Sequence, residues 1–210
     1  MGLIPTVWVT TSALAQVPMG YCDAVVAFNQ ASTNPAEWFD GINIDMEPNT
    51  LGDSWHTATS GAPDNYNQVY EANLIAILTY CHTVTRPTTM TLSWIQGSDY
   101  YYFVHGLWNA LIQQQFVDYI VDVVYFNSSS EFMYGGPLDG YEDIGGIDQV
   151  LASLQGTVPA VFNAETISPP YAPAANTFWY GGVDTLEAAM VQVSDAFGNT
   201  EGFLGYSVHW

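Results

Sequence analysis

The stretch Phe39-Asp40-Gly41-Ile42-Asn43-Ile44-Asp45-Met46-Glu47-Pro48 decides how the chain is read. From Ile42 onward, apolar and polar residues alternate with a period of two. In a β-strand that puts Asn43, Asp45 and Glu47 on one face and Ile42, Ile44 and Met46 on the other. An acidic inner face is costly unless its carboxylates are used or paired. Pro48 and Asn49 end the strand directly after Glu47. An acid at the C-terminal lip of a strand, with a second carboxylate two residues behind to help it hold its proton, suits general acid chemistry. The competing reading is an edge strand that turns its polar residues to solvent.

Strand–helix alternation extends outward from this stretch. Pro5 to Thr10 reads as a strand, with Val7 and Val9 alternating against Thr6, Trp8 and Thr10. Cys22 to Gln30 reads as a helix. As a strand it would need a crossover from Asn29 to Asp40 of only about a dozen residues, at the lower limit for a parallel connection. Asn49 to Asp64 is a long loop containing Trp55 and His56, and His56 reads as a solvated loop residue. Asn65 to Thr83 is predicted helical, with Val69, Ala72, Asn73, Ile75, Ala76, Leu78 and Thr79 as a mostly apolar stripe, ended by Arg86-Pro87.

Met90 to Trp94 alternates as the next strand, and Leu107 to Gln115 is predicted helical. Tyr119 to Phe126 is a strongly apolar strand followed by Asn127 and three serines. Ile147 to Leu154 is a helix ended by Gly156. Val158 to Thr166 is a strand with Asn163 and Glu165 sharing a face near its end. A Pro-rich loop, Ser168 to Ala174, carries Tyr171. Thr185 to Phe197 is the last helix, with Asp184 as N-cap, and Phe203 to His209 is the last strand. Six strands alternating with helices predict an α/β fold with a parallel sheet. No internal repeat, second domain or low-complexity segment is visible.

Composition narrows the function. The chain has 210 residues, 49% of them hydrophobic, so it can bury one sizeable core. Its net charge is −20 and Arg86 is its only Lys or Arg. Nucleic acid and anionic membrane surfaces are therefore excluded as expected partners, because nothing neutralises phosphates. Seven Trp, fourteen Tyr and ten Phe exceed the needs of such a core, and flat rings suit the apolar faces of sugars. Low charge with many Thr, Asn and Tyr points to an extracellular protein. The pair Cys22 and Cys81 fits either one disulfide or two buried thiols. Thr11 to Gln16 is only faintly like a signal-peptide cleavage site, since no basic residue precedes it. With no Cys-x-x-Cys, no His-x-x-x-His and four scattered His, no metal or cofactor is expected.

Asp40-Gly41-Ile42-Asn43-Ile44-Asp45-Met46-Glu47 resembles the Asp-Gly-x-Asp-x-Asp-x-Glu signature of family 18 glycoside hydrolases, the chitinases and their relatives. The resemblance implies a TIM (β/α)8-type barrel with this stretch as its fourth strand. It implies that Glu47 protonates the glycosidic oxygen, and that Asp45 orients the substrate N-acetyl group whose carbonyl is the internal nucleophile. Asn43 departs from the signature, and an amide cannot share a proton with Asp45.

Val117 to Tyr125 is similar to the sixth strand of plant- and fungal-type members. That places Tyr125 on the tyrosine that hydrogen-bonds the reacting carbonyl, with Val123 replacing a family Gln. The closing strand, ending in Trp210, is similar to the eighth, whose Trp floors the sugar being cleaved. Trp94 and Gln96, at the C-terminal end of their strand where barrel sites form, join Asn43 and Trp210 as candidate substrate contacts.

Only one strand precedes Asp40 where the resemblance implies three, so the expectation is that the first two βα units of the barrel lie outside this sequence, the alternative being a reduced barrel. The expectation is a single partial barrel domain spanning 1–210, completed by an N-terminal segment or a partner chain. The expected activity is cleavage of β-1,4-linked N-acetylglucosamine polymers. A non-catalytic glycan-binding or structural surface protein and an endo-β-N-acetylglucosaminidase remain alternatives on the same fold.

Overall fold

A computed structural model describes residues 6–8, 16–45, 68–97, 114–138 and 141–209. They form two compact units, one reaching Gln96 and taking in Gln114 to Tyr119, the other taking in Gly97 and running from Ile120 onward.

In the first unit three parallel strands pair side by side: β1 (Thr6–Trp8), β2 (Gly41–Asp45) and β3 (Thr91–Gly97). Thr6 is in register with Asn43 and Trp8 with Asp45 on one side of β2. On the other side Ile42, Asn43 and Ile44 face Leu92, Ser93 and Trp94. β2 is thus an interior strand, which removes the solvent-facing edge reading. Ile42, Ile44, Leu92 and Trp94 are all fully buried.

Gly41 is required by this pairing. A Cβ there would lie 2.6 Å from the backbone oxygen of Thr91, closer than side chains tolerate.

Two helices complete the unit, α1 (Gln16–Ala31) and α2 (Gln68–Thr85), packed against each other. Leu74, Ile77, Leu78, Cys81 and Thr85 of α2 are buried, at the three- and four-residue spacing of one helical face. Cys22 and Cys81 are joined by a disulfide, which settles the choice that spacing left open. Next to the disulfide, the Tyr80 hydroxyl donates to the Asp23 carboxylate, 2.8 Å from Oδ2. Asp118 closes the far side of β3: its N–H donates to the Leu92 carbonyl at 2.8 Å, and its Oδ2 accepts from the Leu92 N–H at 2.7 Å. The carboxylate thereby does the work of a strand carbonyl.

In the second unit β4 (Tyr119–Val123), β7 (Ala160–Glu165) and β8 (Phe203–His209) are parallel, with β7 between the other two. Between β4 and β7 the chain forms helix α3 (Ser129–Tyr134), an antiparallel hairpin of β5 (Gly136–Leu138) and β6 (Tyr141–Ile144), and helix α4 (Ile147–Leu154). Helix α5 (Gly182–Phe197) precedes β8. The core gathers Phe132, Val150, Leu154, Phe162, Phe178 and Val193, all buried, and Phe162 stacks on Phe203 with ring centres 5.9 Å apart.

Several boundaries differ from the sequence reading. β4 stops at Val123 rather than Phe126, because the Phe126 N–H turns back to the Val124 carbonyl. Helix α5 begins at Gly182, so Asp184 sits in its first turn and Gly181 is the N-cap. An acid there still faces the positive helix end. Helix α1 begins at Gln16, six residues before the predicted start. α3 and the β5–β6 hairpin were not anticipated. The predicted helix Leu107 to Gln115 and the loop Asn49 to Asp64 lie outside the described residues, apart from Gln114 and Gln115. Among the described residues no helix is long and apolar enough to cross a membrane.

Candidate functional site

In the first unit the polar face of β2 is built as its alternation dictates. Asn43 is 9% exposed, and its Oδ1 accepts a hydrogen bond of 2.8 Å from the Ser93 hydroxyl. Ser93 stands opposite Asn43 in the parallel ladder and on the same face. Asp45 follows on that face at the C-terminal end of β2, half-buried and in register with Ile95. Glu47 lies outside the described residues, as do Trp210 and the side chain of Gln96.

Trp94 requires a correction. It pairs with Ile44, so it points away from Asn43 and Asp45, and it is 0% exposed. A stacking platform needs a bare ring face, and Trp94 has none. Strand alternation explains the error: the residue after Ser93 must lie on the opposite face, and an aromatic there packs into the core.

The second unit carries a matching polar set. Tyr125 is half-buried just past the end of β4. Val123, where the resembled family has Gln, pairs with Asn163. Asn163 Oδ1 accepts from the Ser207 hydroxyl at 2.9 Å, repeating on β7 and β8 the Asn–Ser pairing of β2 and β3. One step further along the same faces, Glu165 Oε2 lies 2.8 Å from His209 Nδ1. Glu165 Oε1 accepts from the Ile167 N–H at 2.6 Å.

Ser93, Ser207 and His209 were not singled out from sequence. The signal was present in the period-two pattern, because each stands at the register position opposite a polar residue already noted. Sequence alone does not give the register.

These features define the class: an α/β protein of parallel strands and helices, with polar side chains aligned along strand faces toward their C-terminal ends. Among solved structures, the fold is similar to a GH18 chitinase from Pseudoalteromonas aurantia. The TM-score is 0.55 and the identity 12%, covering 93% of this chain and 63% of that one. It is also similar to the catalytic domain of psychrophilic chitinase B from Arthrobacter TAD20, with TM-score 0.54 and 14% identity over 95% of this chain and 61% of that one. The chain spans about three fifths of the length of these structures. The likeness is one of fold, that of part of a family 18 barrel domain. No protein-family model and no curated protein matches the sequence.

Proposed function

We propose that the chain is a glycosidase acting on β-1,4-linked N-acetylglucosamine polymers, with retention of configuration. The observation that carries this reading is the β2 face. Asn43 and Asp45 project side by side from an interior strand, directly ahead of Glu47, in a fold similar to family 18 chitinases.

In this mechanism Glu47 donates its proton to the glycosidic oxygen as the bond to the anomeric carbon breaks. The substrate's own acetamido carbonyl oxygen attacks that carbon, giving an oxazolinium ion. Asp45 holds the acetamido N–H, and the Tyr125 hydroxyl donates to its carbonyl. Glu47 then takes a proton from the water that opens the ring. Gln96 and Asn43 contact the sugar, and Trp210 lies beneath it. The protein is secreted, a reading supported by the Cys22–Cys81 disulfide, since disulfides persist in oxidising compartments.

The test is Glu47→Gln assayed on a chitooligosaccharide. Loss of a general acid of this kind costs roughly 10²–10⁴-fold in rate, and unchanged turnover overturns the proposal. Asn43, whose Oδ1 accepts from Ser93 and which stands where the signature has an acid, favours a second reading as a non-catalytic glycan-binding protein. Binding of chitin oligomers without shorter products would establish that one. Product analysis on chitin against glycoprotein separates an endo-β-N-acetylglucosaminidase.

A further inference from the structure

The pair Glu165 and His209 is built with more constraint than packing requires. Glu165 is 5% exposed, and burying a carboxylate is expensive unless its oxygens are satisfied. Here one oxygen takes the Ile167 N–H and the other faces His209 Nδ1. His209 is held at its backbone as well. Its carbonyl accepts both the N–H and the hydroxyl of Thr166, each at 2.8 Å. The Glu165 carbonyl and the Ile167 carbonyl are in turn tied to the Thr177 hydroxyl, which fixes the segment behind the carboxylate. Yet the imidazole that all this orients is 50% exposed. Its Nε2 has no hydrogen-bond partner among the described residues.

An ionised carboxylate only accepts hydrogen bonds, so Nδ1 carries the proton that faces Glu165. In the neutral ring Nε2 is then a lone-pair acceptor. A buried charge spent on fixing the tautomer and angle of a half-exposed ring is the construction of a binding group held ready for its ligand.

We infer that His209 is a ligand-binding residue whose Nε2 accepts a hydrogen bond from a sugar hydroxyl, with Glu165 as its positioning residue. The sugar as ligand class rests on the proposed glycosidase reading; the fixed tautomer does not. The register places His209 and Glu165 at the C-terminal ends of β8 and β7, the ends where barrel folds bind their substrates.

The experiment is nitrogen NMR of the 15N-histidine-labelled full chain, with His209 assigned by its loss in His209→Gln. The expected free-state spectrum shows His209 with its proton on Nδ1, and Glu165→Gln converts it to a mixture of tautomers. A merely structural contact would survive that amide without a tautomer change. Titration with a chitooligosaccharide is expected to move the Nε2 resonance, and His209→Gln to weaken binding about tenfold, the order of one hydrogen bond.

Protonation at Nε2 in the wild type overturns the inference whatever the ligand does. If other resonances move at saturating oligosaccharide while the His209 signal does not, the inference fails and the glycosidase reading stands. If no resonance moves, the sugar reading fails and takes the ligand assignment with it. Glu165→Gln keeps the test decisive should His209→Gln not fold.

Discussion

The Ser93 hydroxyl donates to Asn43 Oδ1 across 2.8 Å, joining adjacent parallel strands on their polar face. Both residues are buried, at 1% and 9% exposure, so neither group can turn to water if its partner is lost. Leaving one buried partner unsatisfied costs about 1–3 kcal/mol. Ser93→Ala and Asn43→Ala are each expected to lower unfolding free energy by that order in urea titrations. The double variant should cost less than the sum of the two, with a coupling of about 1 kcal/mol. Strict additivity would show that the bond contributes nothing to stability.

Gly41 occupies the second position of the motif, and its role is visible in the backbone. The Thr91 N–H donates to the Asp40 carbonyl at 2.9 Å, which brings the two strands together where a Cβ on residue 41 would strike Thr91. Gly41→Ala therefore forces β2 and β3 apart at their first pair. Overpacking of this kind costs about 1–3 kcal/mol. Thermal unfolding by circular dichroism should show the lowered midpoint, and an unchanged midpoint would mean that the strands part without penalty.

Cys22 and Cys81 link the two helices of the first unit across 59 residues of chain. Closing a loop of that size restricts the unfolded ensemble by about 4 kcal/mol on the chain-entropy estimate. The Cys22→Ser, Cys81→Ser double variant is expected to unfold at lower urea concentration, by an amount of that order, and reductant should lower the midpoint of the wild type in the same direction. Equal midpoints with and without reductant would show that α1 and α2 hold together by packing alone.

Much of this was legible because period-two alternation is a local signal. Ile42, Asn43, Ile44 and Asp45 announce a strand and its two faces without help from the rest of the chain. Helix α2 is announced as a helix too, but its face is not: of the predicted stripe Ala72, Ala76 and Thr79 are exposed, and the buried side is that of Leu74, Ile77, Leu78 and Cys81. What depends on register was not legible. The Asn43–Ser93, Asn163–Ser207 and Glu165–His209 pairs join residues 44 to 50 positions apart, and a slip of one residue would separate them all. Trp94 departs from expectation for a neighbouring reason: a place near the end of a strand does not fix the face its ring takes. Helix α3 is different. Its capping box was written in the sequence as Ser128 and Glu131, three apart: Ser128 Oγ accepts from the Glu131 N–H at 3.3 Å and donates to its Oε2 at 2.8 Å. The helix is only six residues long, too short for an apolar stripe to draw attention to it.

The Tyr80–Asp23 bond predicts how the first unit responds to alkali. The phenol's pKa is raised above the ordinary 10.0, first because its hydroxyl donates to the Asp23 carboxylate, then through desolvation and the repulsion between phenolate and carboxylate. A group whose folded pKa is raised favours the fold in its protonated form. Its contribution is complete below the unfolded value near 10.0 and fades as pH climbs through the higher folded value. The phenolate absorbance titration of the wild type, after subtraction of that of Tyr80→Phe, should therefore show one tyrosine ionising later than free tyrosine. Asp23→Asn should return that step toward the ordinary value, because the amide presents no negative charge to the phenolate. Added salt should move the step little, since the leading cause is a hydrogen bond at contact distance rather than a screened long-range charge. A difference titration centred at or below 10.0 would show that the two helices do not hold this pair together in solution.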